Sequence, residues 1–195
     1  MTTNPDDYSS IREHIHHLVR AITPYDEIEQ EHLHNTCLWI KSGAPLFRVK
    51  YPDVPSQHFV CNFILFDASH RKVLMTDHKK SRQWRPPGGH MEPNEAPKET
   101  VTRECLEELN ITADFWRPDP VFLNIKTSID HGLQHTDVGL WYVLKGESNT
   151  TYSFDPGELN AICWFHLNDI PYEKSDPHMK RFIEKLKMLE EVRQS

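Results

Sequence analysis

The stretch from Gly88 to Ile111 constrains this chain more than any other, because a proline-glycine turn there leads straight into a helical run crowded with glutamates. Pro86-Pro87-Gly88-Gly89 permits positive φ and close approach of backbone to a ligand. The pattern that follows predicts a helix with Asn94 as its N-cap, Glu95 and Glu99 near its positive end, and Pro97 in the first turn, where a missing N–H costs little. At about 100° per residue, Val101, Cys105 and Leu109 form one apolar stripe, and Glu104, Glu107 and Glu108 fall on the adjoining arc. Core packing asks for none of these carboxylates, and crowded together they repel. A divalent cation removes the conflict. Oxygen-only ligands suit Mg²⁺ or Mn²⁺, and Mg²⁺ typically enters sites shared with substrate phosphates. Arg103, next to the cluster and four residues after Glu99, is placed to pair with a carboxylate and orient it. A solvated acidic face is the bland account of a glutamate run on a helix, but it explains neither the glycine turn nor the arginine.

The spacing Gly89, five residues, Glu95, seven residues, Arg103-Glu104-Cys105, one residue, Glu107-Glu108, one residue, Asn110-Ile111 resembles the Nudix box of the Nudix hydrolases. Every charged position of that pattern is filled. Cys105 stands at a bulky apolar position, a mild departure, since a free cysteine packs like a small hydrophobe. Asn110 replaces the last glycine, just past the helix, where a left-handed residue is needed and Asn is the next best choice. The resemblance covers roughly residues 45–190. It implies an α/β fold, a Nudix-like α/β/α sandwich with a mixed sheet, and divides the chain into an N-terminal helical extension (1–43) and a Nudix hydrolase domain (44–195). It also implies a metal-dependent hydrolase that cleaves the pyrophosphate linkage of a nucleoside diphosphate joined to another moiety. Glu104, Glu107 and Glu108 would hold Mg²⁺ or Mn²⁺, with the backbone carbonyl of Gly89 joining the shell, and Arg103 would complete the catalytic set. The ion would polarise a phosphoryl oxygen and acidify a water. Glu104 is the first choice of general base and Glu158, just before the last strand, the candidate outside the box. Gly88 and Glu95 would be structural, Glu95 and Arg103 tying loop to helix. Two alternatives stay open: a catalytically silent nucleotide-sensing module, which usually lacks some of these glutamates, and an isoprenoid diphosphate isomerase on the same fold.

Ahead of the box, Ile11, Ile15, Leu18, Val19 and Ile22 mark an amphipathic helix over residues 9–22. A second helix is expected from Pro24 to Ser42-Gly43, with Ile28, Leu33, Cys37, Leu38 and Ile40 apolar, so residues 1–43 read as a helical hairpin. His14, His16, His17, His32 and His34 cluster on it without a carboxylate or cysteine that completes a metal set, which favours surface histidines. Strands are expected at Leu46–Tyr51, His58–Phe66, Lys72–Thr76, Ala113–Trp116, Val121–Ser128, Thr136–Leu144 and Ala161–Leu167, with a loop at residues 129–132 and a closing helix from Asp176 to Val192. The basic loop His78–Arg85 carries Arg82 and Arg85 as phosphate-receiving cations. His135 and Asp137 share a strand face and are further candidates for substrate contact.

The net charge of −7 argues against binding nucleic acid or anionic membranes. The four cysteines lie far apart with no CxxC pair, and the N-terminus is polar and acidic, so reduced thiols and a cytoplasmic location are expected. The expected partner is a nucleotide-like diphosphate. Markers of the ADP-ribose, diadenosine-polyphosphate and coenzyme A subfamilies are missing at their usual distances. Trp84, Trp141 and Trp164 are possible base-stacking residues, though aromatics in such strands are more often core. The helical hairpin offers a surface for a homodimer.

Overall fold

A computed structural model of the chain describes residues 5–50, 54–130 and 133–194. Among the described residues, four α-helices accompany a seven-stranded mixed sheet. The chain divides into two compact units whose boundaries fall inside three strands, the box helix and one loop.

The first unit comprises residues 1–62, 89–101 and 119–141. Helices α1 (Pro5–Ala21) and α2 (Glu27–Lys41) pack together here, burying Ile15, Leu18, Val19, Leu33 and Ile40. The Arg12 guanidinium closes the hairpin by donating to the carbonyls of Ile40 and Ala44, both at 2.7 Å. Helix α2 begins after Asp26, whose carboxylate accepts from the Glu29 N–H, and not at Pro24. A side-chain acceptor at that position satisfies a helix N–H that proline leaves bare. Ile28 and Leu38 prove exposed, whereas Glu29 is fully buried. One Glu29 oxygen accepts from the Tyr25 N–H and the other from the Leu123 N–H, while His32 Nδ1 accepts from the Ile125 N–H. Leu123 and Ile125 belong to β5 (Phe122–Asp130), which pairs antiparallel with β6 (Leu133–Lys145) from Phe122↔Trp141 to Asp130↔Leu133. Helix α2 thus supplies acceptors to an edge strand that would otherwise present bare N–H groups. His32 is accordingly half-buried and engaged, while His14, His17 and His34 are exposed.

The first half of β1 (Gln57–Asp67) also lies in this unit, and Met91 N–H donates to Phe59 O. Trp141 is core, its Nε1–H donating to Asn124 Oδ1 at 2.5 Å. A Cβ at Gly139 would sit 2.5 Å from Asn124 Oδ1 and 3.0 Å from Asn62 Nδ2. The expected strand at Leu46–Tyr51 is replaced by one isolated bridge, Lys50↔Val54, with Tyr51 outside the described residues. Ile129 and Asp130 continue β5, and residues 131–132 of the expected loop are also outside them.

The second unit comprises residues 63–88, 102–118 and 142–195. Strand β2 (Lys72–His78) pairs along one edge with β1 and with β3 (Gln83–Arg85), and along the other with β7 (Leu159–His166). At the β1–β2 turn the buried Asp67 carboxylate accepts from the His70 and Ser148 N–H groups and from the His70 ring. Burial alone would raise its pKa, but these hydrogen bonds hold it well below the usual carboxylate range. Ala113–Trp116 is no strand; it follows β6 through one bridge, Phe115↔Leu144, and two flanking backbone hydrogen bonds. Helix α4 (Met179–Gln194) buries Met179, Phe182, Ile183 and Leu186.

Candidate active site

The box helix, α3 (Pro97–Leu109), starts two residues later than an Asn94 cap would place it. Asn94 has φ 68°, a left-handed turn conformation, so it does not cap the helix. Glutamates do that work instead. Glu99 reaches back to the Ala96 N–H at 2.8 Å, half of a capping box. One oxygen of Glu95 accepts from the Glu92 N–H at 3.0 Å and from the Thr100 hydroxyl at 2.7 Å. At the far end, Asn110 adopts φ 51° and its N–H returns to Leu106 O, the left-handed stop the sequence predicts.

The C-terminal half of α3 buries Cys105 and Leu109 completely and carries the carboxylates on its flank. Glu104 and Glu108, one turn apart, are each only 8% exposed. Glu107 differs from the expected trio, since its side chain is 57% exposed and faces solvent. Arg103 joins two of the three: its Nη1 lies 2.6 Å from Glu104 Oε1 and 3.0 Å from Glu107 Oε2. Glu108 receives the Gly88 N–H on one side, and its Oε2 is buried with no hydrogen-bond donor. Gly88 takes φ 140°, where glycine fits best.

Burial pushes the Glu108 carboxyl up to about 8, with Glu104 and Glu158 adding to the rise and the Gly88 N–H and Arg85 opposing it. Burial likewise raises Glu104, against the pull of Arg103. Both carboxyls lack enough positive charge to ionise comfortably. An all-oxygen set with one buried, unfilled acceptor fits a hard divalent cation.

Backbone pairing explains why Glu158 belongs to this neighbourhood. The loop before β7 docks on the end of α3, where Asp155 N–H donates to Glu108 O and the Ser153 hydroxyl to Leu109 O. Lys79 N–H then donates to Glu158 O, and the Lys79 ammonium donates to Pro156 O, so this lysine holds the loop. The Glu158 side chain is exposed. Arg85 is half-buried and acts on Glu108, while Arg82 is exposed on a left-handed turn with φ 55°. Trp84 packs edge-on against Phe165.

Gly89, Glu95, His135 and Asp137 fall in the first unit. There Asp137 meets two residues the sequence reading missed, His58 on β1 and His90 on β4 (Gly88–His90). Their ligand atoms all lie within 4.8 Å of one another. His90 directly follows the glycine pair and His58 opens an apolar strand, but only the fold brings them to Asp137.

Among known proteins, the human protein named nucleoside diphosphate-linked moiety X motif 6 is 27% identical over 146 residues. That match takes in 68% of this chain but only 40% of the relative, so the chain spans less than half of its length. A NUDIX-family hydrolase from Clostridium perfringens superposes with a TM-score of 0.50 at 22% identity, covering 68% of this chain and 97% of the other, which shows a shared fold. The MutT NUDIX hydrolase from Burkholderia pseudomallei gives 0.48 at 24% identity, over 59% and 87% of the two chains. The NUDIX domain model matches residues 57–186, two-thirds of the chain and the whole of the box, and the chain therefore belongs to the Nudix hydrolase family.

Proposed function

We propose that this chain is a Nudix pyrophosphohydrolase that cleaves the phosphoanhydride of a nucleoside diphosphate linked to another moiety. The observation that carries this reading is the pair of buried carboxylates, Glu104 and Glu108, with Glu108 Oε2 left without a donor. Glu104 and Glu108 would hold Mg²⁺ or Mn²⁺, with Glu107 completing the shell. The bound ion would neutralise charge on the bridging phosphates and acidify the attacking water.

The chain's own residues have distinct tasks. Arg103 fixes Glu104 and Glu107 in one orientation through two charge-assisted contacts. Glu95 and Glu99 anchor the loop that carries the glycines to the start of α3. Arg85 and Arg82 offer cations to the phosphates, which an acidic protein must do locally. Glu158 is the proton acceptor we favour, because its carboxylate is exposed to water while Glu104 is held by Arg103. Residues 1–43 form an extension to the hydrolase domain at 44–195, and its role toward the β5 edge is structural in this reading.

The test is a panel of nucleoside diphosphate derivatives with Mg²⁺ or Mn²⁺, in which nucleotide and phosphate products are measured for the wild type and Glu108→Gln. Metal-dependent release from at least one compound, lost in the variant, is expected. Tight binding of one compound without release would favour the sensing module.

A further inference from the structure

We propose a second metal site, built from His58, His90 and Asp137, that takes a borderline divalent transition-metal ion of the Zn²⁺ class. It lies wholly in the first unit and uses none of the box carboxylates.

The argument starts with His58. The residue is fully buried on β1, and its Nδ1 lies 2.9 Å from Pro55 O. A carbonyl oxygen can only accept, so Nδ1 carries the proton. In the neutral ring Nε2 then presents a lone pair, and that atom lies 3.1 Å from Asp137 Oδ1. Two lone pairs facing at this distance repel, so the contact calls for either a proton on Nε2, which makes His58 the charged partner of Asp137, or a bound cation, and the titration below separates the two. A ring N–H tied to a backbone carbonyl is also the usual way a ligating histidine is oriented.

His90 completes the set. Its ring centroid is 4.8 Å from that of His58, with the two planes tilted by 47°; one nitrogen of each ring lies within 4.8 Å of the other and of an Asp137 oxygen. Donors at about 2.1 Å from an ion stand roughly 3–4 Å from each other. The 3.1 Å contact falls inside that range, and the 4.8 Å limit on the whole set needs only a small closure. His135 Nε2 lies 3.7 Å from the second oxygen, Asp137 Oδ2, near enough to act on it electrostatically.

Donor chemistry selects the ion. Two imidazoles and one carboxylate suit Zn²⁺ or Fe²⁺ and disfavour Mg²⁺, which demands oxygen. Three protein donors leave a position for water or an anionic ligand, the pattern of catalytic rather than closed structural zinc sites.

The full-length protein would be titrated with Zn²⁺ against a chromophoric chelator, with Co²⁺ as a spectroscopic stand-in. The chain has 13 histidines, so variants must separate the site from surface binding. Wild type should bind one Zn²⁺ at least about tenfold more tightly than His90→Ala or Asp137→Asn. Glu108→Gln and His17→Ala should keep the wild-type affinity. In the unmutated protein, Zn²⁺ should protect His90 from diethyl pyrocarbonate in peptide maps, a readout that survives if a variant fails to fold. Equal affinity in wild type and Asp137→Asn, loss with Glu108→Gln, or no protection of His90 would overturn the proposal.

Discussion

The two carboxylate-bearing clusters of this molecule are built in opposite ways. On α3 the groups come from about one and a half helical turns, Arg103 to Glu108, and their proximity follows from helix pitch. Around Asp137 the groups come from β1, β4 and β6, separated by dozens of residues and joined only by the fold. The first cluster is all oxygen and offers a hard ion a shell; the second mixes imidazole nitrogen with one carboxylate. On the two proposals above, one chain would carry two sites of different metal preference, and variants can address each alone.

The largest expected effect separates them by turnover. Glu108→Gln should cut metal-dependent phosphate release by about 100-fold or more, the scale of losing a charge-stabilising group at a reacting centre. Circular dichroism should show the fold intact, since glutamine keeps the acceptor for the Gly88 N–H. Activity within twofold of wild type would remove Glu108 from the metal shell.

The next effect is thermal. Zn²⁺ at 100 times its Kd should stabilise the wild type by about 2.7 kcal/mol, a rise of several degrees in Tm by scanning fluorimetry. Glu108→Gln should show the same rise and Asp137→Asn none. If Mg²⁺ reproduced the shift in Glu108→Gln, the contrast in metal preference would fail.

A third substitution tests the frame of the histidine cluster and not its ligands. Glu29→Ala strips the β5 edge of its buried carboxylate acceptor and leaves the Leu123 and Tyr25 N–H groups unmet. A loss of about 2–3 kcal/mol in urea unfolding is expected. Zn²⁺ affinity should fall with it if the β5–β6 ladder holds Asp137 in place.

The smallest effect lies outside both clusters. The Asp67 pKa is lower in the folded than in the unfolded protein, so its contribution is present above about pH 4 and fades as pH falls toward the folded value. Asp67→Asn should lower stability by about 1 kcal/mol at pH 7, with the gap closing as the buffer is made more acidic. A gap that widened under acid would reverse the sign assigned to this group.

This contrast also marks what was legible from residues alone. The box helix, its apolar stripe and its left-handed end at Asn110 are local, and periodicity reveals them. The start of α3 was misplaced because Asn94 fits a turn as well as a cap, and only the Glu99 hydrogen bond decides between them. Glu107 could not be assigned to solvent from pitch, because its exposure depends on what packs against the helix. His135 and Asp137 were visible as one strand face, but His58 sits in a strand buried on both faces, where alternation carries no information. Glu29 lies outside the apolar positions that mark the second helix, and its carboxylate is buried because a distant strand edge required an acceptor.

Gly139 has a consequence that reaches past this chain. The indole of Trp141 and the amides of Asn124 and Asn62 occupy the volume into which any β-carbon would grow. Even alanine would force that trio apart, so mutational drift at this position is closed while its neighbours stay as they are. A homologue that retains Asn124 and Trp141 should also retain the glycine, and one that has lost it should have exchanged the asparagine for something smaller.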